Sequence, residues 1–172
     1  MKCAKIKWDA TKIIFILYCM VLIWIVLCKT AFSLDDILRL RCPRSINLIP
    51  FYYADDVEKL HMREVILNVL TFVPLGLYLK MLGATGRRAV FCGFCISLGF
   101  ELCQFALAIG TSDVTDVITN TFGTFAGMCL YMLAGKIFSN KQKTDKIINV
   151  LAAVLLLIFF CFAVLVLVAN RL

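Results

Sequence analysis

The stretch Ile147 to Val168, IINVLAAVLLLIFFCFAVLVLV, decides the fold class. Asn149 is its one strongly polar side chain, and its 22 residues rise about 33 Å as a helix, enough for a hydrocarbon core of about 30 Å. Four more stretches read the same way: Ile13 to Phe32, Val65 to Leu82, Ala89 to Ile109, and Val114 to Phe138. The runs are near-continuous rather than alternating, and a helix satisfies its own backbone in lipid, so these are helices and not barrel strands. The expected fold is therefore an all-α, polytopic membrane helix bundle of about five transmembrane helices.

Composition agrees with that reading. Of 172 residues, 62% are hydrophobic and only 17% charged, with a mean hydropathy of +0.93. Five spans of about 20 residues use about 100 positions, which leaves no room for a soluble catalytic domain. The net charge of +7 reports topology and lipid contact rather than nucleic-acid binding, because no basic domain with exposed aromatics remains. With the N-terminus inside, eleven Lys and Arg fall on cytoplasmic segments and six on outside ones, with Lys29 snorkelling at a span end. The count favours N-in and C-out.

Between the first two spans lies a 32-residue segment, Ser33 to Glu64, expected outside. Ser33 with Leu34, Ile37 and Leu38 predicts a short helix lying on the membrane. Phe51-Tyr52-Tyr53 predicts an interfacial aromatic belt, and Asp55 with Glu58 a capping box that starts the second helix early. Pro74 is expected to kink that span, and His61, the one His, is expected in an exposed loop. Most of the nine Cys lie in apolar runs, so no disulfide framework is predicted, and Cys92-x-x-Cys95 is read as two small packing residues. One His and no thiol cluster argue against zinc, and no phosphate-cradling loop or Ser/His/Asp set is visible. No metal and no cofactor are expected.

The informative residues are polar ones placed in hydrocarbon. Glu101 and Gln104 stand one turn apart, with Ser97 and Ala108 extending their face. A carboxylate there costs on the order of 2.5 to 3.5 kcal/mol, so Glu101 must face the bundle, find donors or stay protonated. In the next span Asp113, Asp116, Asn120, Gly123 and Gly127 follow at steps of 3 or 4 and form one stripe. A short connection at Gly110-Thr111-Ser112 makes these two spans an antiparallel hairpin, in which Gly123 and Gly127 allow close approach. Asn68 can join from the outer part of the second span. The expected site is an outward polar pocket of Asn68, Glu101, Gln104, Asp113, Asp116 and Asn120. The competing reading makes these residues interhelical glue, with Asp113 a helix N-cap and Asp116 a partner of the helix dipole.

Four motifs in order carry a resemblance: Asn47-Leu48-Ile49-Pro50-Phe51, Asn68-x3-Phe72-x-Pro74-Leu75-Gly76, Glu101-x2-Gln104, and Asp113-x2-Asp116-x3-Asn120-x2-Gly123-x3-Gly127. Together they resemble the VanZ-like family of bacterial membrane proteins over about residues 45 to 135. The resemblance implies a multi-pass protein of the bacterial plasma membrane. The family is named for an accessory protein of glycopeptide-resistance clusters that gives low-level teicoplanin resistance. Many members carry Arg in the loop before the first Asp, where this chain has Thr111 and Ser112.

The chain is thus read as a cytoplasmic segment with the first span over 1–32, a VanZ-like core over 33–138, and a cytoplasmic loop with the last span over 139–172. The preferred function is binding of a cell-envelope ligand, a membrane lipid or a lipid-linked wall precursor. The alternatives are an enzyme on such a lipid with Glu101 or Asp116 as general base, or a structural partner of another membrane protein.

Overall fold

A computed structural model describes residues 10–27, 45–51, 58–109 and 112–169, with residues 58–61 and 167 described by backbone alone. The element order is α1 (Ala10–Leu27), β1 (Ile46–Asn47), α2 (Glu58–Met81), α3 (Gly86–Leu107), β2 (Ser112–Asp113), α4 (Val114–Phe138) and α5 (Lys141–Ala169). All five helices are long and apolar enough to cross a membrane. The all-α, multi-pass reading therefore holds.

Helix ends follow local chemistry. Thr85 caps α3, its hydroxyl accepting from Arg88 N at 3.4 Å, and Ala108 ends the helix in the left-handed region (φ 54°, ψ 38°). The fold differs from expectation at several places. Asn140 Oδ1 accepts from Lys143 N at 3.1 Å, so the basic run from Lys141 forms the first turns of α5 and leaves Ser139 and Asn140 as the connection. Helix α2 carries His61 within it and runs through Pro74 without interruption. The expected helix near Ser33 and the Asp55 cap lie outside the described residues, as do Tyr52 and Tyr53. Of the Cys92 and Cys95 pair, both side chains are exposed free thiols, so they face away from the packed interior rather than into it.

The chain divides into two compact units, one of residues 21–133 and one of residues 1–20 with 134–172. In the second, Thr11 accepts a hydrogen bond of 2.8 Å from Asn149 Nδ2, joining the start of α1 to α5. In the first, α4 is the central element. Its buried residues are Thr115, Val117, Thr119, Asn120, Gly123, Thr124, Gly127 and Met128, mostly small or polar. Lipid tails are as apolar as Leu, so apolar burial does little to hold such helices together. Close packing and interhelical hydrogen bonds do so instead.

That packing explains the glycines. A Cβ on Gly123 would collide with the Val69 carbonyl, and one on Gly127 with the Val73 carbonyl, both on α2. The sequence reading placed these glycines at the α3 contact, and the structure turns them to α2. A glycine pair marks a face of close approach but not its partner. Contact with α3 is made by Thr124, fully buried, whose side chain fills the space a Cβ on Gly93 would take. Thr124 also presents its carbonyl to Gly76 of α2, so three helices meet at one residue. Phe72 and Phe100 close the α2–α3 contact edge to face at 6.3 Å.

Candidate functional site

Helix α3 buries one stripe, Ala89, Gly93, Ser97, Glu101 and Gln104, at helical spacing. Ser97 and Glu101 of this stripe meet the start of α4. Beyond the left-handed Ala108 the chain turns back and reaches β2, where Ser112 and Asp113 pair in parallel with Ile46 and Asn47. Ser112 N donates to Ser45 O at 3.1 Å. This two-residue ladder was not foreseen, and it fastens the segment before α2 onto the entry of α4.

Asp113 is the N-cap of α4. Its Oδ1 accepts from Thr115 N at 2.7 Å, satisfying a first-turn donor that the helix itself leaves open. Its Oδ2 accepts from Asn47 Nδ2 at 3.2 Å, and its own N–H donates to Glu101 Oε2 at 2.8 Å. Glu101 is 3% exposed, so this donor answers the requirement that a carboxylate in a span find a partner. Ser112 Oγ also donates to the Glu101 carbonyl at 3.3 Å.

Asp116 stands one turn further along α4, half-buried, with Oδ1 accepting from Asn68 Nδ2 of α2 at 2.7 Å. Asn120 Nδ2 donates to Ser97 Oγ at 2.9 Å, and Ser97 Oγ donates to the Asp116 carbonyl at 3.4 Å. Asn120 Oδ1 is buried with no hydrogen-bond partner among the described residues. Around the first two turns of α4 these residues form two hydrogen-bonded sets, Glu101 with Asp113 and Asn47, and Asp116 with Asn68, Ser97 and Asn120. Glu101 and Asn120 do not share a level, however. Glu101 meets the backbone at the helix start, whereas Asn120 meets Ser97, one turn earlier on α3.

Gln104 behaves differently from its sequence neighbours. Its Nε2 donates to the Val26 carbonyl of α1 at 2.9 Å, so this side chain ties α3 to α1. It does not face the acidic residues through any hydrogen bond described.

Residues not placed in the site by sequence reasoning contribute to it. Asn47 forms an Asx turn, its Oδ1 accepting from Ile49 N at 3.1 Å, while its amide holds Asp113. Thr115 Oγ1 accepts from Phe51 N at 3.0 Å, where Phe51 adopts φ 55°. The Asn47-Leu48-Ile49-Pro50-Phe51 motif was the available signal, but nothing in its spacing says which segment 66 residues away it meets. Among the described residues, no group of three or more His, Cys, Asp or Glu is arranged to hold a metal ion.

Chemically, the arrangement is three carboxylates near the start of α4, two half-buried and one buried, each held by its own donors, in a protein of net charge +7. The donors that hold them are backbone and amide N–H groups, which fix direction without giving up a proton. Comparison with known proteins places the chain in a family. The family model described as VanZ/LLP1 matches residues 15–139. Protein VanZ of Enterococcus faecium is 40% identical over 150 residues, covering 83% of this chain and 88% of that protein. No solved structure matches the chain. The matched region contains all of these residues, and the chain, with its five apolar helices, belongs to the VanZ/LLP1 family of bacterial multi-pass membrane proteins.

Proposed function

We propose that the start of α4 is a ligand site opening outward, which binds a membrane lipid or lipid-linked wall precursor, and that this binding contributes to teicoplanin tolerance. The observation that carries it is that Asp113, bonded to buried Glu101, and Asp116, one turn on, both stand half-buried at the start of α4. Interhelical glue needs donors and acceptors in balance. Three carboxylates near one helix start exceed that need and suit a ligand that presents ammonium, hydroxyl or amide N–H groups. Tolerance follows when the bound precursor or lipid alters drug access.

Hydrogen bonds hold the Glu101 and Asp116 carboxylates in fixed directions, as a binding site requires. Glu101 Oε2 and Asp116 Oδ1, the candidate general bases, are each engaged by an N–H that holds them in place, at 2.8 and 2.7 Å. Outward opening rests on the Lys and Arg distribution. It is checked by labelling Cys42 in intact cells with a thiol reagent that does not cross membranes, for which labelling before permeabilisation is expected.

The binding itself is tested by extracting and weighing what copurifies with the full chain and with Asp116→Asn, which keeps the acceptor for Asn68 but removes the charge. The parent is expected to carry an envelope lipid that the variant lacks. Identical extracts from two well-folded proteins would leave the cluster a structural feature.

A further inference from the structure

A groove of about 630 Å³ runs between α3 and α4 at the end of the 21–133 unit opposite to the acidic cluster. Its walls include Val90, Phe91 and Phe94 of α3 and Phe125 of α4, with buried Met128 also lining it and Arg87 among the residues at its α3 end. Gly86 adds no side chain there, and a Cβ at that position would meet Met128 Sδ at 3.3 Å. Phe91 is 66% and Phe94 40% exposed, so the groove opens on the surface of the unit. Both helices are long and apolar enough to cross a membrane, so the groove runs along the surface of a membrane-spanning helix pair.

From this geometry we infer that the groove is a binding site for one anionic phospholipid of the surrounding bilayer. An acyl chain lies along the aromatic walls, and its phosphate pairs with the Arg87 guanidinium. The volume falls within the range of about 300 to 1,000 Å³ typical of small-molecule sites. Charge selects the occupant. An open apolar groove bordered by an arginine matches a molecule with one long apolar chain and one anion. Arginine is suited to phosphate because its planar fork donates two parallel hydrogen bonds. Arg88 follows Arg87 in the first turn of α3, and Lys80 in the last turn of α2 donates to the Ala84 carbonyl in the connection before α3, so this end carries further positive charge. A zwitterionic lipid offers the same chain with no net charge and gains less from this end. The inference uses neither the acidic cluster nor the direction in which the chain crosses the membrane.

The test is native mass spectrometry of the full chain released from an uncharged detergent, after mixing with phosphatidylglycerol or with phosphatidylcholine of the same acyl chains. The parent is expected to retain phosphatidylglycerol preferentially, in a ratio of one per chain. Arg87→Gln should reduce that preference about fivefold, the effect of one basic side chain at a lipid surface, and Arg87→Lys should restore most of it. Arg88→Gln removes the same charge outside the groove and should cost less. Thr121 of α4 also lines the groove, and Thr121→Phe, which places a ring there, should lower retention of both lipids. Equal retention of the two lipids by the parent overturns the inference, as does an unchanged preference in Arg87→Gln. A dimeric mass lost only in Thr121→Phe would assign the groove to a second copy of the chain and overturn it too.

Discussion

Helices α4 and α5 both cross a membrane by length and composition, yet they use their side chains in opposite ways. Helix α5 has none of its most apolar stretch buried within the structure, and Leu155, Leu157, Phe160 and Leu165 are each more than 60% exposed. Helix α4 buries threonines, an asparagine and two glycines, and turns Phe122 and Leu130 outward. The more hydrophobic helix is thus the less buried one. In water this would be inverted. In lipid, apolar side chains gain little by leaving their surroundings, and a helix becomes central by being small and polar along one face.

The largest expected effect lies where α4 touches α2. Gly127→Leu puts a branched side chain against the Val73 carbonyl and Leu77 N, backbone atoms that cannot swing aside. A cost of about 3 kcal/mol or more is expected, at the upper end for overpacking, and it should appear as lost membrane accumulation or a lower melting temperature. A variant that accumulates and melts like the parent would disprove the close contact. Gly99, which has open space around its Cβ position, is the matched control, and Gly99→Leu should be tolerated.

A middle-sized effect is expected at Asn47, whose side chain bridges Ile49 and Asp113. Asn47→Ala loses two modest hydrogen bonds, about 1 kcal/mol net, and loosens the two-residue ladder. Amide hydrogen exchange at Ser112 should quicken, while exchange along the middle of α4 stays as in the parent. The smallest effect belongs to α5. Leu155→Ala should change thermal stability by less than about 0.5 kcal/mol, because lipid replaces the lost contacts. A large loss there would mean that α5 packs against protein.

What was legible in the sequence follows the same physics. All five spans were visible because a run such as Ile147 to Val168 needs no partner to be read. The start of α4 at Val114 was visible because Asp113 can cap it through its own i+2 neighbour. Partners were not visible. Gly123 and Gly127 announce a close approach, but whether it comes from α2 or α3 depends on the arrangement of the whole bundle. Gln104 sits one turn from Glu101 and yet serves α1 through the Val26 carbonyl. The pairing of β1 with β2 is two residues long and joins segments 66 apart, so no periodicity announces it. The family motifs contained Asn47 without saying that it holds Asp113.

The role of the acidic cluster comes down to Glu101. Glu101→Gln keeps the shape of the side chain and an oxygen able to accept from Asp113 N, so the fold should remain while the charge is lost. The measurement is the teicoplanin concentration that stops growth of a susceptible host producing equal amounts of parent or variant in its membrane. The parent should raise that concentration and Glu101→Gln should return it to the level of the empty host. If the parent raises it and an equally abundant Glu101→Gln raises it as much, the carboxylate only joins helices and the ligand-site reading is wrong.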